Sequence, residues 1–155
     1  MKKYKNKIII VLIIIAIIFS SYTYIKVKTE EEGNKASYNV LKESFEYENN
    51  KELDSLLNCY TEDFNKDSFN LENLNFKNVS NIKLIDNKSN LYKVYLTYGK
   101  GKTLKISKNS LRIYSVEYYL QYNDEKEAED KNGFQTKKYY LVKQDDNWKI
   151  SSIGD

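Results

Sequence analysis

The stretch Leu111–Tyr122, which reads LRIYSVEYYLQY, carries the clearest strand pattern in this chain. Successive side chains of a strand point to opposite faces of its sheet, so a two-residue period separates an apolar face from a polar one. The odd positions include Ser115, Glu117 and Gln121 and are the more polar set. We predict a long strand whose even positions face the core: Arg112, Tyr114, Val116, Tyr118, Leu120 and Tyr122.

Four more segments have the composition of strands, and turn-forming residues separate them. These strands are predicted around residues 79–85 and over residues 91–98, 136–142 and 148–153. Residues 86–90 and 144–147 are polar turns, and residues 99–102 form a lysine-rich loop. Residues 123–133 form an acidic loop, for which weak calcium binding is an alternative to simple solvation.

The segment before the strands has helical periodicity. Over residues 36–48, apolar residues recur on one helical face: Ala36, Val40, Leu41 and Phe45. Asn49 is the predicted N-cap of a second helix, with Glu52 in the capping-box position, and an apolar stripe follows: Leu53, Leu56, Leu57 and Tyr60. Two or three helices followed by four or five antiparallel strands predict an α+β fold, with the helices packed on one curved sheet.

An unbroken apolar run lies near the start of the chain. Residues 8–19 read IIIVLIIIAIIF, and the chain stays uncharged up to Ile25, which gives about 27 Å of helix. That length matches the hydrocarbon core of a bilayer, and Tyr22 and Tyr24 suit its outer interface. Four lysines precede the run, so the positive-inside rule predicts a cytoplasmic N-terminus. We expect a basic tail at residues 1–7, a transmembrane anchor at 8–25, a linker at 26–35 and an extracytoplasmic domain at 36–155.

Other interpretations of the apolar run remain open. A signal peptide has the same basic start and apolar middle, and its cleavage would release a secreted protein. The nearest small-x-small pattern for cleavage is Ser21-Tyr22-Thr23. A buried core helix would need a polar side to show water, which a run of isoleucines lacks. A lipoprotein needs a cysteine directly after the run, and Cys59, the one cysteine, lies much further along.

The overall charge argues against nucleic acid as a partner. The chain has 25 basic residues, of which four precede the apolar run, so 21 remain against 22 acidic ones. A nucleic-acid surface needs a concentrated basic patch, and the chain has a single arginine, Arg112. It has no histidine, which removes imidazole bases and the commonest metal ligand. Lys, Asn, Ile and Tyr are abundant and have A/T-rich codons, from which we expect an A/T-rich bacterial genome.

Two stretches resemble the nuclear transport factor 2-like superfamily. The first is SYNVLKESFEYENNKELDSLLNCYTEDF, residues 37–64, and the second is DDNWKISSIG, residues 145–154. The resemblance covers residues 36–155 and implies a cone, in which a bent antiparallel sheet wraps around helices and often leaves a pocket in its mouth. Members include isomerase-like and dehydratase-like enzymes, non-catalytic binding modules and membrane-anchored parts of secretion and conjugation machines. This chain looks most similar to anchored members of unknown function from Gram-positive bacteria, and a shared fold does not decide function.

Five residues are candidates for lining a pocket in that cone: Tyr114, Glu117, Tyr118, Tyr122 and Trp148. Large rings with polar tips suit an apolar or sugar-like ligand, and desolvation would raise the pKa of Glu117. The alternative is that the rings fill the core and that Glu117 faces solvent beside a lysine of a neighbouring strand. No catalytic set, metal site or cofactor is predicted, since a nucleophile–histidine pair cannot be built.

The sequence therefore predicts a non-catalytic, membrane-tethered module of the cell envelope that binds an envelope protein or a small ligand. One alternative is an assembly component of a conjugation or secretion apparatus, by analogy with the superfamily. A second is a small isomerase or dehydratase in which Glu117 is the essential acid.

Overall fold

The structure is a computed structural model that describes residues 2–123 and 132–154, with side chains from residue 12 onward within these ranges. The chain divides into two units, Met1–Lys35 and Ala36–Asp155. The predicted α+β class, with helices on a curved antiparallel sheet, is confirmed. Residues 124–131, which form most of the predicted acidic loop and its calcium alternative, lie outside the described residues.

The first unit is helical and belongs to α1, which spans Lys2–Asn50. By length and composition α1 can cross a membrane, because an 18-residue window within Leu12–Asn50 is apolar and exposed. Residues 26–35 are helical as part of α1, and their role as a linker stays a prediction.

Four strands form one antiparallel sheet in the order β1–β2–β3–β4: β1 is Leu74–Leu84, β2 is Leu111–Tyr122, β3 is Gly133–Gln144 and β4 is Asn147–Gly154. β2 has the predicted bounds, and its even positions from Arg112 to Leu120 are buried. The predicted turn between β3 and β4 is also confirmed. Asp145 and Asp146 have φ angles of 46° and 64°, as a two-residue hairpin turn requires.

The larger core lies between the sheet, the end of α1 and the short helix α2, Leu53–Asn58. Leu41 and Phe45 of α1 and Leu56 of α2 are buried there against the even positions of β2. After α2, Thr61 donates its backbone N–H to Ile150 O at 3.0 Å, and the N–H of Ile150 donates to Cys59 O at 2.8 Å. The segment after α2 thus covers part of the outer edge of β4.

The predicted N-cap role of Asn49 is wrong. Asn49 lies inside α1, and Glu52 holds the N-cap position of α2 without a side-chain capping bond. The amide of Asn49 instead binds the edge of β1, because its Oδ1 accepts from Lys77 N at 2.7 Å and its Nδ2 donates to Lys77 O at 2.9 Å. A contact between residues 28 positions apart outweighs the local capping signal.

The predicted strand over residues 91–98 is wrong as well. This segment forms α3, Asn90–Thr97, and the predicted loop after it contains a helical turn, α4, Lys100–Thr103. Ser89 caps α3, since its Oγ accepts from Leu91 N at 3.3 Å. Tyr92 and Tyr95 lie three residues apart on one helical face and are buried in a second, smaller core. The sequence LYKVYLTY is too short for its apolar period to separate a helix from a strand.

The smaller core lies on the opposite face of the sheet from the larger one. It contains Leu111 and Ile113, which are odd positions of β2, together with Val142 of β3. The first part of β2 is therefore covered on both faces, although its odd positions were predicted to be the polar set. Two 3₁₀ turns, Lys66–Ser68 and Lys108–Ser110, precede β1 and β2.

Candidate functional site

Four of the five residues predicted to line a pocket lie together in the larger core. Tyr114, Tyr118 and Trp148 are buried there, and Tyr122 is partly buried against them. Phe45 of α1 packs on the same cluster, with its ring centroid 6.5 Å from that of Tyr118. The structure therefore brings these rings together in the space between α1 and the sheet.

An ammonium group of the chain itself lies among the rings. Lys77 of β1 places its Nζ 4.6 Å from the ring centroid of Tyr118 and 5.2 Å from that of Phe45. Both distances are within the range of cation–π attraction. Glu48 of α1 supplies the balancing charge, since Lys77 Nζ donates to its Oε1 at 3.0 Å and to its Oε2 at 2.8 Å.

The ion pair is held away from water. The side chains of Lys77 and Glu48 are only 8% and 12% exposed. Glu48 binds the ammonium of Lys77 while its neighbour Asn49 binds the backbone of the same lysine. Two consecutive residues of α1 thus fix one residue of β1, and loss of either charge would leave the other buried without its counter-ion.

The tyrosines beside this ion pair remain neutral near physiological pH. Burial raises the pKa of Tyr118, with a further contribution from Tyr139 that the charge of Lys77 partly offsets. Burial also raises the pKa of Tyr139 well above its ordinary value, and the carboxylate of Glu48 adds to the effect. The phenol groups of this cluster are therefore protonated in neutral solution and act there as hydrogen-bonding and packing groups.

Two more of the predicted aromatic residues, Tyr114 and Trp148, also contact groups of the chain. The hydroxyl of Tyr114 lies 2.8 Å from Ser37 Oγ, and burial raises its pKa although this bond opposes the rise. Trp148 is covered by Arg112, whose guanidinium carbon is 5.2 Å from the ring centroid. The Nη1 of Arg112 donates to Asn109 O and Leu111 O, so the lone arginine has a packing role in the interior.

Glu117 is not part of this cluster. It lies at an odd position of β2 and is exposed, whereas Tyr118 beside it is buried. Its neighbours across the sheet are Asn81 of β1 and Thr136 of β3. The structure therefore separates the one predicted acid from the four predicted rings.

A groove with a volume of about 830 Å³ lies at the end of the sheet near the β3–β4 hairpin. Three segments line it, namely residues 57–63 at the end of α2 and just after it, residues 104–110 before β2, and residues 143–149 around the hairpin. Its volume is in the range of small-molecule sites. Charged side chains of both signs line it: Glu62, Asp63, Lys105, Lys143, Asp145 and Lys149.

Lys100 fixes one wall of this groove. Its Nζ contacts Asp63 Oδ1 at 2.9 Å and donates to Ser151 O at 2.8 Å, and it also reaches the hydroxyl of Thr61. Partial burial raises the pKa of Asp63, but hydrogen bonds from Lys100 and Thr61 outweigh it and hold the pKa below its ordinary value. The carboxylate of Asp63 is thus ionised and directed toward the wall that Lys100 joins to β4.

A smaller groove of about 360 Å³ lies between α1, α2 and the same hairpin. Trp148 lines it and is the only one of the five predicted residues to do so, and Cys59 lies beside it. Burial is the main cause that raises the pKa of the Cys59 thiol to about 11, with Glu43 adding to the effect. The thiol therefore stays protonated in neutral solution and is a poor nucleophile.

The Lys77–Glu48 ion pair and the residues that line the 830 Å³ groove were not identified from the sequence. Glu48 follows Leu41 and Phe45 on the same helical face, and an acid on an apolar stripe was a signal that a buried cation lay opposite. No comparable signal identified Lys77 as that cation. The groove combines three segments that are distant in sequence, so it could be found only from the tertiary structure. Among the residues whose placement is described, no three acids or cysteines are arranged to hold a metal ion.

Comparison with known proteins identifies one family. A family model described as "Domain of unknown function (DUF4829)" matches residues 38–154, which is most of the second unit and most of the chain. No curated protein and no solved structure matches the chain.

Proposed function

We propose, from the premise that this chain belongs to the DUF4829 family, that it is a membrane-anchored, extracytoplasmic binding module of the bacterial cell envelope. In this proposal the apolar part of α1 is the anchor, and residues 36–155 bind a partner or a small polar ligand without catalysing a reaction. The observation that carries the proposal is the long apolar surface of α1, which no other part of the described chain covers.

The apolar surface surrounds the helix. Large apolar side chains from Leu12 to Val27 are each at least half exposed, and they occupy 11 of the 16 positions of this segment. A helix that is apolar on all sides needs either a protein core or lipid around it. A bilayer is the solvent that matches the length of this segment.

Polar groups in this segment are satisfied within the helix. Ser21 Oγ donates to Ile17 O at 2.9 Å, and Thr23 Oγ1 donates to Ser20 O at 2.8 Å. Such bonds keep hydroxyl groups paired where water is scarce, which supports a position at or within the bilayer.

The orientation follows from the four lysines before the apolar run, which favour the cytoplasmic side. It is testable in intact cells with a variant that combines Cys59→Ser with Ser107→Cys. This variant has a single cysteine, at a position that is exposed. A membrane-impermeant maleimide should label this variant without lysis. Labelling that requires lysis would contradict the orientation. A shorter, released product would instead indicate cleavage of a signal peptide.

The nuclear transport factor 2-like resemblance enters here as part of the proposal. The end of α1 and α2, which pack on one face of a four-stranded antiparallel sheet, support it. In this chain, however, the ion pair of Lys77 and Glu48 lies in the interior beside the ring of Tyr118. We therefore place the binding function at the 830 Å³ groove beside the hairpin.

The lining of the groove supports binding over catalysis. Its mixed charges suit a polar ligand or a protein loop with charges of both signs, and the chain has no imidazole for general-base chemistry. Site-specific photo-crosslinking in cells tests this assignment. A photoreactive residue at Ser107 or Asn147, both in the groove, should give an adduct of one discrete mass. The matched control is Thr136, which is exposed on the sheet. Equal crosslinking from Thr136, or none from the groove, would refute the assignment.

A further inference from the structure

The charges of the second unit are unevenly distributed along its sequence. Residues 85–110, which connect β1 to β2 and are called the basic lobe here, contain six lysines and one acid, Asp86. The other residues of 36–155 contain 12 basic and 18 acidic side chains. The near-zero net charge of the domain therefore hides a basic region and an acidic remainder, and this segregation could not be read from the total.

Most of the lysines of the basic lobe are available to a partner. Lys100 is half-buried and bound to Asp63 in the wall of the groove. The other five are exposed on the surface of the lobe: Lys88, Lys93, Lys102, Lys105 and Lys108. The lobe thus presents several ammonium groups to solvent with little acidic charge of its own.

Exposed apolar side chains accompany these lysines. Tyr92 and Tyr95 fix the inner side of α3 in the smaller core. On its outer side, Val94 is 44% exposed, and Tyr98, one turn further along, is 80% exposed. An exposed aromatic ring next to lysines is the composition of a surface that lies at a lipid–water interface.

From these observations we infer that the basic lobe is a second membrane contact, which binds anionic phospholipid headgroups at the surface of the bilayer. Its lysines pair with the lipid phosphates, and Tyr98 and Val94 enter the interfacial region. The rest of the domain carries more acidic than basic residues and is not attracted to the same surface. Nucleic acid fits the lobe less well, because residues 85–110 contain no arginine.

This inference rests on the proposed anchor, because a tethered domain meets the lipid surface at a high effective concentration. Lysines near an anionic surface are attracted within about a Debye length, roughly 8 Å at physiological ionic strength. The contact should therefore weaken strongly at high salt, whereas the apolar anchor should not.

Amide hydrogen exchange of the full chain in lipid nanodiscs tests the inference. One set of discs contains phosphatidylcholine alone, and the other contains phosphatidylcholine with phosphatidylglycerol. Exchange over α3 and α4 should slow by about fivefold in the anionic discs, the factor expected from even one lysine near an anionic headgroup. High salt should reverse the slowing.

Charge-reversal variants make the test specific to the lobe. Lys93→Glu with Lys102→Glu should abolish the slowing. Lys51→Glu with Lys66→Glu changes the net charge equally at exposed lysines outside the lobe and should retain it. Unchanged fluorescence of Trp148, the only tryptophan, shows that each variant is folded.

The outcomes separate the inference from the proposed function. Equal exchange in the two kinds of disc would overturn the lobe contact and leave the anchor intact, as would loss of slowing in the control variant. Slowing that appears only on addition of soluble polyphosphate would identify a soluble polyanion as the partner and overturn the lipid assignment. Failure of the full chain to enter either disc would overturn the anchor, and the inference would fall with it.

Discussion

The ammonium group of Lys77 lies 4.6 Å from the ring centroid of Tyr118, inside the domain and bound to the carboxylate of Glu48. Aromatic residues that could have lined a ligand pocket therefore surround a cation of the chain itself. This arrangement links β1 to α1 at the centre of the larger core. Because the interior is filled in this way, the candidate sites for a ligand are the grooves at the β3–β4 hairpin.

Breaking this ion pair should destabilise the domain strongly. Glu48→Gln leaves the ammonium of Lys77 buried without its counter-ion, and we expect the free energy of unfolding to fall by about 3–5 kcal/mol. The measurement is urea unfolding of the full chain in mild detergent, followed by Trp148 fluorescence. Glu46→Gln is the control. It removes an exposed partner of Lys42 on the same helix and should cost less than about 1 kcal/mol.

Replacement of both charges should be tolerated much better than replacement of one. We expect Glu48→Leu with Lys77→Met to unfold at a urea concentration close to that of the parent protein, because apolar residues of similar size avoid the cost of desolvating two charges. A double variant that is as unstable as Glu48→Gln would show that the pair itself, rather than the unpaired charge, holds the core together.

The packing of α3 and α4 over the smaller core depends on a close approach between Gly101 and Tyr95. A Cβ atom there would lie 2.7 Å from two ring carbons of Tyr95, which stacks on Tyr140 at 4.8 Å. We expect Gly101→Ala to lower the free energy of unfolding by about 1–3 kcal/mol through overpacking. Gly154→Ala is the control, since a Cβ there would meet Tyr140 at an ordinary 3.9 Å. Equal stability of the two variants in thermal unfolding would contradict this packing.

The contact between Asp63 and Lys100 should make the groove wall sensitive to acid. The folded-state pKa of Asp63 is lowered from 3.8, so its contribution is present above that value and is lost as the pH falls through the lower folded value. Asp63→Asn should remove this part of the acid destabilisation in unfolding measured as a function of pH. The effect should be under about 1 kcal/mol, because the side chain is 53% exposed. Glu62→Gln, one residue earlier on the same groove, is the control, and an equal change there would exclude Asp63 as the cause.

The buried thiol of Cys59 should be unreactive in the folded protein. Its side chain is protected, and its pKa is about 11, so maleimide should modify it slowly at neutral pH and rapidly in urea. Ser107→Cys in the Cys59→Ser background places a thiol at an exposed position and should react at once. Rapid labelling of native Cys59 would mean that α2 opens readily from the sheet.

The sequence predicted correctly those elements in which the spacing of apolar residues matches the face that is buried. β2 was predicted with its observed bounds because its two-residue period runs through twelve residues with one face in the larger core. α3 was missed because eight residues fit either period, and because the surface it packs on belongs to strands that come later in the chain. The helix N-cap at Ser89 was the local signal that favoured a helix.

For the candidate site, the sequence indicated which aromatic residues would be important but not which groups they contact. Tyr114 and Tyr118 were predicted on the core face of β2 and are buried there. The contacts of the predicted rings with Ser37, Lys77 and Arg112 depend on strand register and helix packing. The uneven distribution of charge was also missed, because only the total charge was considered. Net charge is a sum over the chain and hides a local excess of lysine. The structure shows that residues 85–110, which carry this excess, form the whole connection between β1 and β2.

The central claim, that α1 holds the chain in a membrane, is tested most directly by alkaline carbonate extraction of cell membranes followed by intact-mass measurement of the protein. We predict that the uncleaved chain of 18.4 kDa stays with the extracted membranes. Recovery of that full-length chain in the soluble fraction would contradict the claim.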